Sequence, residues 1–252
     1  LFVVALFGLS LLVFVLLRML PGDVAAVIAG TNAAPERIAS LRTELGLDKS
    51  YVAQYGDWML GLLHGDLGVS TIGGKAVSAQ VASRASVTFP LIIVSLLIAL
   101  AIGLPLGCAA VLTRNARLRG LCHGIAIVAG AIPALWGGLL LILLFSRGSG
   151  LLGLLPAQGF PDNGWGAPLQ ALASLILPAL ATGVTAGASI MRYTRAAVGD
   201  KASSQAVDMA MACGMTRKQA VLRVALRLAT PQLVSVIGLT FAQMVTGAVS
   251  YT

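Results

Sequence analysis

Five stretches of this chain, residues 1–17, 89–112, 121–146, 168–191 and 228–252, contain no Asp, Glu, Lys or Arg. Residues 89–112 alone would extend about 36 Å as a helix, against a hydrocarbon core of roughly 30 Å in a bilayer. The chain is 58% hydrophobic and 10% charged, with a mean hydropathy of +0.92. That is more apolar surface than a soluble core of 252 residues can bury. The expected fold class is therefore all-α, a polytopic membrane protein with five spans. The chain starts at Leu1 without Met and stops at Tyr251-Thr252 without a polar flank, so at least one further span, a sixth, is expected outside it. After residues 1–17 comes Arg18-Met-Leu-Pro-Gly-Asp23 rather than a small-residue cleavage site, which reads as a retained first helix and not a signal peptide.

The formal charge of +8 would suggest nucleic acid in a soluble protein, but here the cations are grouped by loop. Arg114, Arg117 and Arg119 fall in residues 113–120; Arg192, Arg195, Lys201, Arg217, Lys218, Arg223 and Arg227 fall in residues 192–227, where only Asp200 and Asp208 oppose them. These two loops are expected on the cytoplasmic side. In residues 21–88 and 147–167 acidic and basic residues nearly balance, and these segments are expected outside. Three regions follow: a first transmembrane helix over 1–20, an external subdomain over 21–88, and a transmembrane core over 89–252 that contains the cytoplasmic loop 192–227. Cys108, Cys122 and Cys213 have no paired spacing and read as small packing residues.

Within the external segment, Ile38, Leu41 and Leu45 space an amphipathic helix from Pro35 that Gly46 ends. A second, over 51–63, is closed by Gly65 and carries Tyr51, Tyr55, Trp58 and Leu62 on one face, suited either to the membrane interface or to packing the subdomain. In the spans, Gly183-Val-Thr-Ala-Gly187 is a small-xxx-small pattern, and Pro105, Pro133 and Pro178 interrupt apolar runs where helices can hinge. Thr182, Thr185 and Ser189 share one helical face, as do Gln243, Thr246 and Ser250; either face lines a polar pathway or supplies packing hydroxyls.

Several chemistries lack their residues. With no charged residue inside a span, a carrier that relays protons or coordinates Na+ by carboxylates is disfavoured. There is no G-x-x-x-x-G-K-[ST] loop to bind ATP by that device. His64 and His123 stand without Cys or carboxylate at metal-ligand spacing, and Ser10 and Ser86 without His and Asp partners. The chain is therefore expected to be no enzyme and to bind no metal or cofactor itself.

The loop 192–227 carries the informative pattern. Asp208-Met-Ala followed by Gly214 has the spacing acidic-x-Ala-x-x-x-Gly, and Thr216-Arg-Lys-Gln219 reads as a capping box that opens another helix at Ala220-Val221-Leu222. A helix, a glycine turn and a second helix are expected.

Here the chain resembles the membrane permease subunits of ATP-binding-cassette importers, in the peptide/nickel branch. Residues 208–214 look like the EAA loop that such permeases insert into their ATPase subunits. Further matches, specific to dipeptide and oligopeptide permeases, run in family order along nearly the whole chain. They are Leu20-Pro-Gly-Asp23, Glu44-Leu-Gly-Leu-Asp48, Gly65-Asp-Leu-Gly-Val-Ser70, Gly103-Leu-Pro-Leu-Gly107, Ile132-Pro-Ala-Leu-Trp136, Leu155-Pro-Ala-Gln-Gly159 and Leu175-Ile-Leu-Pro-Ala-Leu180.

The resemblance implies a type I importer permease fold, in a bacterial inner membrane, working with a second and commonly different permease, two cytoplasmic ATPases that hold ATP and Mg, and an external substrate-binding protein. It implies ATPase coupling through Gln205, Asp208, Met209, Ala210, Gly214 and Arg217, and reception of the binding protein near Gly65, Asp66, Gly68 and Ser70. Departures from the pattern are Asp208 for Glu, Met209 for the first Ala, no Pro after Leu226, and Met211 and Cys213 where the peptide branch carries basic residues. A more apolar docking face is the consequence. Peptide, glutathione, nickel and metal-chelate importers share this architecture, with di- or oligopeptides the expected substrate. The alternatives are a secondary transporter that needs no ATPase and a membrane-anchored assembly or sensory subunit.

Overall fold

The computed structural model describes residues 1–19, 22–30, 33–70, 74–113, 115–148, 150–156, 159–161 and 163–248. Leu20 and Pro21 of the first motif, Arg114, Ala157, Gln158 and Ser250 lie outside the described residues, as do the side chains of Arg119, Cys122 and His123. The chain divides into two compact units, Leu1–Arg84 and Ala85–Thr252, the first of which holds the first helix together with most of the external segment.

The first unit holds α1 (Phe2–Met19), α2 (Val24–Ala29), α3 (Pro35–Glu44) and α4 (Tyr51–Leu63). Asp23 explains its place in the first motif: its carboxylate accepts from Ala25 N at 3.0 Å, capping α2, and from the Arg42 guanidinium of α3. That guanidinium holds the Asp23 carboxyl below the ordinary carboxylate range. The ion pair therefore contributes above the ordinary Asp value and is lost as pH falls through the lowered one. Asp23→Asn is expected to weaken hydrogen-exchange protection of α2 and α3 at neutral pH and to match the wild type once acid has neutralised Asp23.

The Glu44-to-Asp48 motif ends α3. Gly46, at φ +64, lets Leu47 N reach Arg42 O at 2.9 Å and Gly46 N reach Thr43 O at 3.0 Å, the paired bonds of a Schellman turn. The aromatic face of α4 packs through Tyr55, whose ring lies against Phe7 and Phe14 and whose hydroxyl is 2.8 Å from Ser10 Oγ. Tyr51 and Trp58 stay exposed.

The second unit is built on α5 (Val77–Leu112), which begins before residue 85, α6 (Ala116–Ala131), α7 (Ala134–Phe145), α8 (Pro168–Ala202), α9 (Gln205–Ala212), α10 (Arg217–Ala220) and α11 (Leu226–Ala248). A π-helical turn, Val221–Ala225, joins the last two, so that Arg217–Gly247 runs as one helix. No sheet occurs among the described residues, and the fold class is all-α. Among the described residues four helices, α1, α5, α8 and Arg217–Gly247, are long and apolar enough to cross a membrane.

The third apolar run, 121–146, is not one straight span. It bends by 95° between Gly124–Ala131 and Ala134–Phe145 and makes a fifth crossing only as a bent pair. Pro133 is the cause: the residue before a proline is pushed out of the α region, and Ile132 is extended at φ −75°, ψ 120°. Pro105 and Pro178 instead lie inside continuous helices.

Two further boundaries differ from the apolar runs. α5 starts before residue 89, and α8 continues past Met191 to Ala202, so its 35 residues reach about 52 Å. Hydropathy marks where lipid would end; nothing in residues 192–202 obliges the helix to stop there. α5 and α8 cross in close contact through Gly103, Gly107, Gly183 and Gly187, with Ser95 Oγ 2.8 Å from Thr182 Oγ1 across the seam.

Candidate functional site

The segment 205–220 forms the two helices and glycine turn that its sequence spells. Gly214, at φ +91, occupies the left-handed position after α9; Met215 N bonds Ala210 O at 3.1 Å and Gly214 N bonds Met211 O at 3.0 Å. Thr216 and Gln219 complete the capping box in both directions, Thr216 N to Gln219 Oε1 at 3.0 Å and Gln219 N to Thr216 Oγ1 at 3.3 Å.

What seats α9 is Val207, 1% exposed, in a buried cluster with Cys108 of α5, Val198 of α8 and Ala220, Val221, Ala225, Ala229 and Leu233 of the last helix. Ala210, Met211 and Met215 pack against the same cluster. The stripe Val221, Ala225, Ala229, Leu233 advances four residues per turn, more than the 3.6 of an α-helix, and the wider π turn keeps its start facing inward.

With Val207, Ala210 and Met211 turned in, the outer face of α9 presents Gln205, Asp208 and Met209, the last 70% exposed, followed by exposed Cys213, Gly214 and Arg217. Ala210 and Met211 are thus half-buried packing positions, and the apolar share of the outer face comes from Met209 and Cys213. The sequence reading missed Val207. Its signal was available in the spacing of Val207, Met211 and Met215, one apolar residue per turn toward one side.

A second set of residues lines a cavity of about 240 Å³ between α5, α8 and α11. Thr182, Thr185, Ser189 and Gln243 all contribute to it; Thr246 does not, donating instead to Ala242 O at 3.2 Å. Ser95 and Thr240 complete the polar lining and were not foreseen. The cavity's hydroxyls are partly committed: Thr182 donates to Pro178 O at 2.9 Å and Thr185 to Ala181 O at 2.9 Å, the back-bonding that satisfies such groups within a helix. An apolar cavity of about 330 Å³ adjoins it, sharing Leu91, Ala134 and Thr182.

In the first unit, Gly65 (φ +81) and Gly68 (φ +76) shape a tight turn in which Asp66 Oδ1 accepts from Gly68 N at 2.8 Å. Ser70 N donates to Lys75 O at 2.9 Å beside the Val69–Ala76 bridge. Asp66 is thus occupied in holding the turn, while its neighbours remain exposed. No group of His, Cys, Asp and Glu able to hold a metal occurs among the described residues.

Two family models match the chain: residues 99–251 match the binding-protein-dependent transport system inner membrane component, and residues 2–91 match the N-terminal part of such membrane components. The chain is 33% identical over 262 residues to the dipeptide transport system permease of Escherichia coli K12, covering 96% of this chain and 77% of that one. It is 32% identical to a putative peptide transport system permease of Brucella abortus, covering 95% and 75%. To the glutathione transport system permease of Escherichia coli O6:H1 it is 34% identical, covering 97% and 76%.

Proposed function

The chain belongs to the family of binding-protein-dependent transport system inner membrane components, and from that premise we propose that it imports di- or oligopeptides, driven through α9 by a cytoplasmic ATPase. It is a multi-pass inner-membrane protein, a non-catalytic permease subunit of an ATP-binding-cassette importer of the dipeptide/oligopeptide family. The finer reading rests on one observation: α9 is anchored by Val207 to a core shared by α5, α8 and α11 while Gln205, Asp208 and Met209 face outward.

A helix held in that way moves as one body with the ends of three spans. ATPase closure against its outer face tilts those ends together, and the cavity at Thr182, Thr185, Ser189 and Gln243 opens alternately to the two sides. ATP and Mg belong to the two partner ATPases, a second permease completes the path, and an external binding protein docks near Gly65, Asp66, Gly68 and Ser70. The loops 113–120 and 192–227 lie in the cytoplasm on the strength of their cations. Peptide is the substrate supported by the relatives' names, and the glutathione permease falls in the same chemical class, glutathione being itself a tripeptide.

Asp208 tests the docking reading without disturbing the fold, since it is exposed and its carboxylate bonds nothing among the described residues. In the reconstituted complex with its ATPases and binding protein, Asp208→Arg is expected to leave membrane accumulation unchanged. It should lower binding-protein-stimulated ATP hydrolysis and dipeptide uptake on the order of tenfold, as a reversed charge at an interface does. Normal stimulation and uptake by this variant would remove α9 from the coupling role.

A further inference from the structure

Cavities follow one face of α8 almost from end to end. The apolar one is lined by Ser174, Pro178 and Ala181, the polar one by Thr182, Thr185 and Ser189, and a third, of about 480 Å³, by Arg192, Ala196 and Gly199. These positions are three or four residues apart and therefore share a face. On the opposing side the bent pair supplies Ala134 to the upper cavities and Ala126 to the lower one, with Gly130 between them.

Arg192 stands at the junction. Its Nη1 donates to Ala126 O of α6 at 3.3 Å, and its Nη2 donates at 3.1 Å to the Oγ of Ser189, a residue that lines the polar cavity. The guanidinium lies so close over Gly130 that a Cβ there would stand 2.4 Å from Nη1, so glycine makes its seat. Both acceptors are neutral. A guanidinium has five N–H donors and these two bonds use two. No carboxylate lies within ion-pair distance of it among the described residues; Asp200, which lines the same lower cavity, is 3.5 Å from Lys201 instead.

We propose that Arg192 receives the carboxylate of the solute as it passes from the polar cavity to the lower one. This rests on the importer reading above, and it adds the chemical class that the path selects: a small solute with a free carboxylate, such as a peptide C-terminus. A planar guanidinium with spare parallel donors accepts a carboxylate in bidentate fashion, and it is the first charge below a stretch of path that contains none. The Ser189 and Ala126 bonds hold the side chain across the track between arrivals. The same bonds tie α6 to α8, so a passing carboxylate would also loosen the inner end of the path that it must leave by.

The test reads the local potential. In the full complex, with Cys108→Ala, Cys122→Ala and Cys213→Ser removing the native thiols, Thr185→Cys reports from the polar cavity. Its rate of modification is measured with an anionic sulfonatoethyl and with a cationic trimethylammonium-ethyl thiosulfonate. Arg192→Gln is expected to lower the anionic-to-cationic rate ratio on the order of tenfold, because a unit charge about 10 Å away acts oppositely on the two reagents. Arg192→Lys should keep most of the preference, which a merely structural tie between α6 and α8 would not explain. Dipeptide uptake should fall with the ratio in Arg192→Gln. A wild-type ratio no higher than that of Arg192→Gln overturns the proposal, whether a lipid phosphate neutralises the guanidinium or the side chain turns away. A preserved preference in a wild-type complex that accumulates no peptide supports the cation site and removes the peptide reading instead.

Discussion

Gly107→Leu is expected to strip the folded protein from the membrane. A Cβ at Gly107 would stand 2.6 Å from Thr194 Cβ and 3.0 Å from Met191 O, and one at Gly103 would stand 2.8 Å from Gly187 O. The contact is reciprocal: at Gly183 a Cβ would meet Ser95 O at 2.9 Å, and at Gly187 it would meet Ala99 O at 3.3 Å. Backbone, not a yielding side-chain tip, supplies much of the obstacle, so the helices must part. Lipid tails are as apolar as the helix surfaces, and spans therefore associate by close packing and interhelical hydrogen bonds rather than by the hydrophobic effect. Even one or two surplus methylenes in a packed core cost about 1–3 kcal/mol. Leucine here adds four carbons.

The measurement is membrane accumulation after a chase, against Gly8→Leu as control, since nothing lies within 4 Å of a Cβ at Gly8. Equal accumulation and equal thermal stability of the two variants would show that α5 and α8 do not depend on this seam.

Half of that seam was legible in the sequence. Gly183-Val-Thr-Ala-Gly187 announced itself as a packing stripe, but its counterpart, Gly103 and Gly107, entered only as a family match, because a spacing on one helix does not say which helix it faces. The same limit explains Pro133. Three prolines in apolar runs look alike one-dimensionally; at Pro105 and Pro178 the helix carries through, whereas at Pro133 Ile132 goes extended and the chain turns by 95°. Local chemistry was read well: the capping box of Thr216 and Gln219 and the glycine ends at Gly46 and Gly214 follow from residues within one turn of one another. Val207, Ser95 and Thr240 matter through neighbours far along the chain, and sequence spacing held at most a hint of them. Thr246 is three residues from Gln243, but the cavity follows Gln243, Met244 and Gly247, and the Thr246 hydroxyl turns back to Ala242 O.

Gly214→Pro is expected to leave the chain in the membrane and abolish ATP-driven uptake. Gly214 sits at φ +91, which proline, fixed near −65°, cannot adopt, and proline lacks the N–H that bonds Met211 O. The turn must reopen, and with it goes the bond from Met215 N to Ala210 O that brings Met215 back onto the core beside Val207. None of this disturbs the α5–α8 seam, so the spans should persist while α9 loses its fixed angle to them.

Gly214→Ala separates conformation from bulk. No atom lies within 4 Å of a Cβ there, so only backbone strain of about 1–2 kcal/mol remains. Asn, which tolerates the left-handed region, should cost less than Ala. Uptake is therefore expected to fall in the order Gly, Asn, Ala, Pro while membrane levels stay level. Since the ATPases are intact, basal ATP hydrolysis should persist in all four and its stimulation by the binding protein should follow uptake. Were uptake instead indifferent to residue 214, motion would have to reach the spans without a fixed angle between α9 and α10, and the rigid coupling of α9 to α5, α8 and α11 would no longer explain transport.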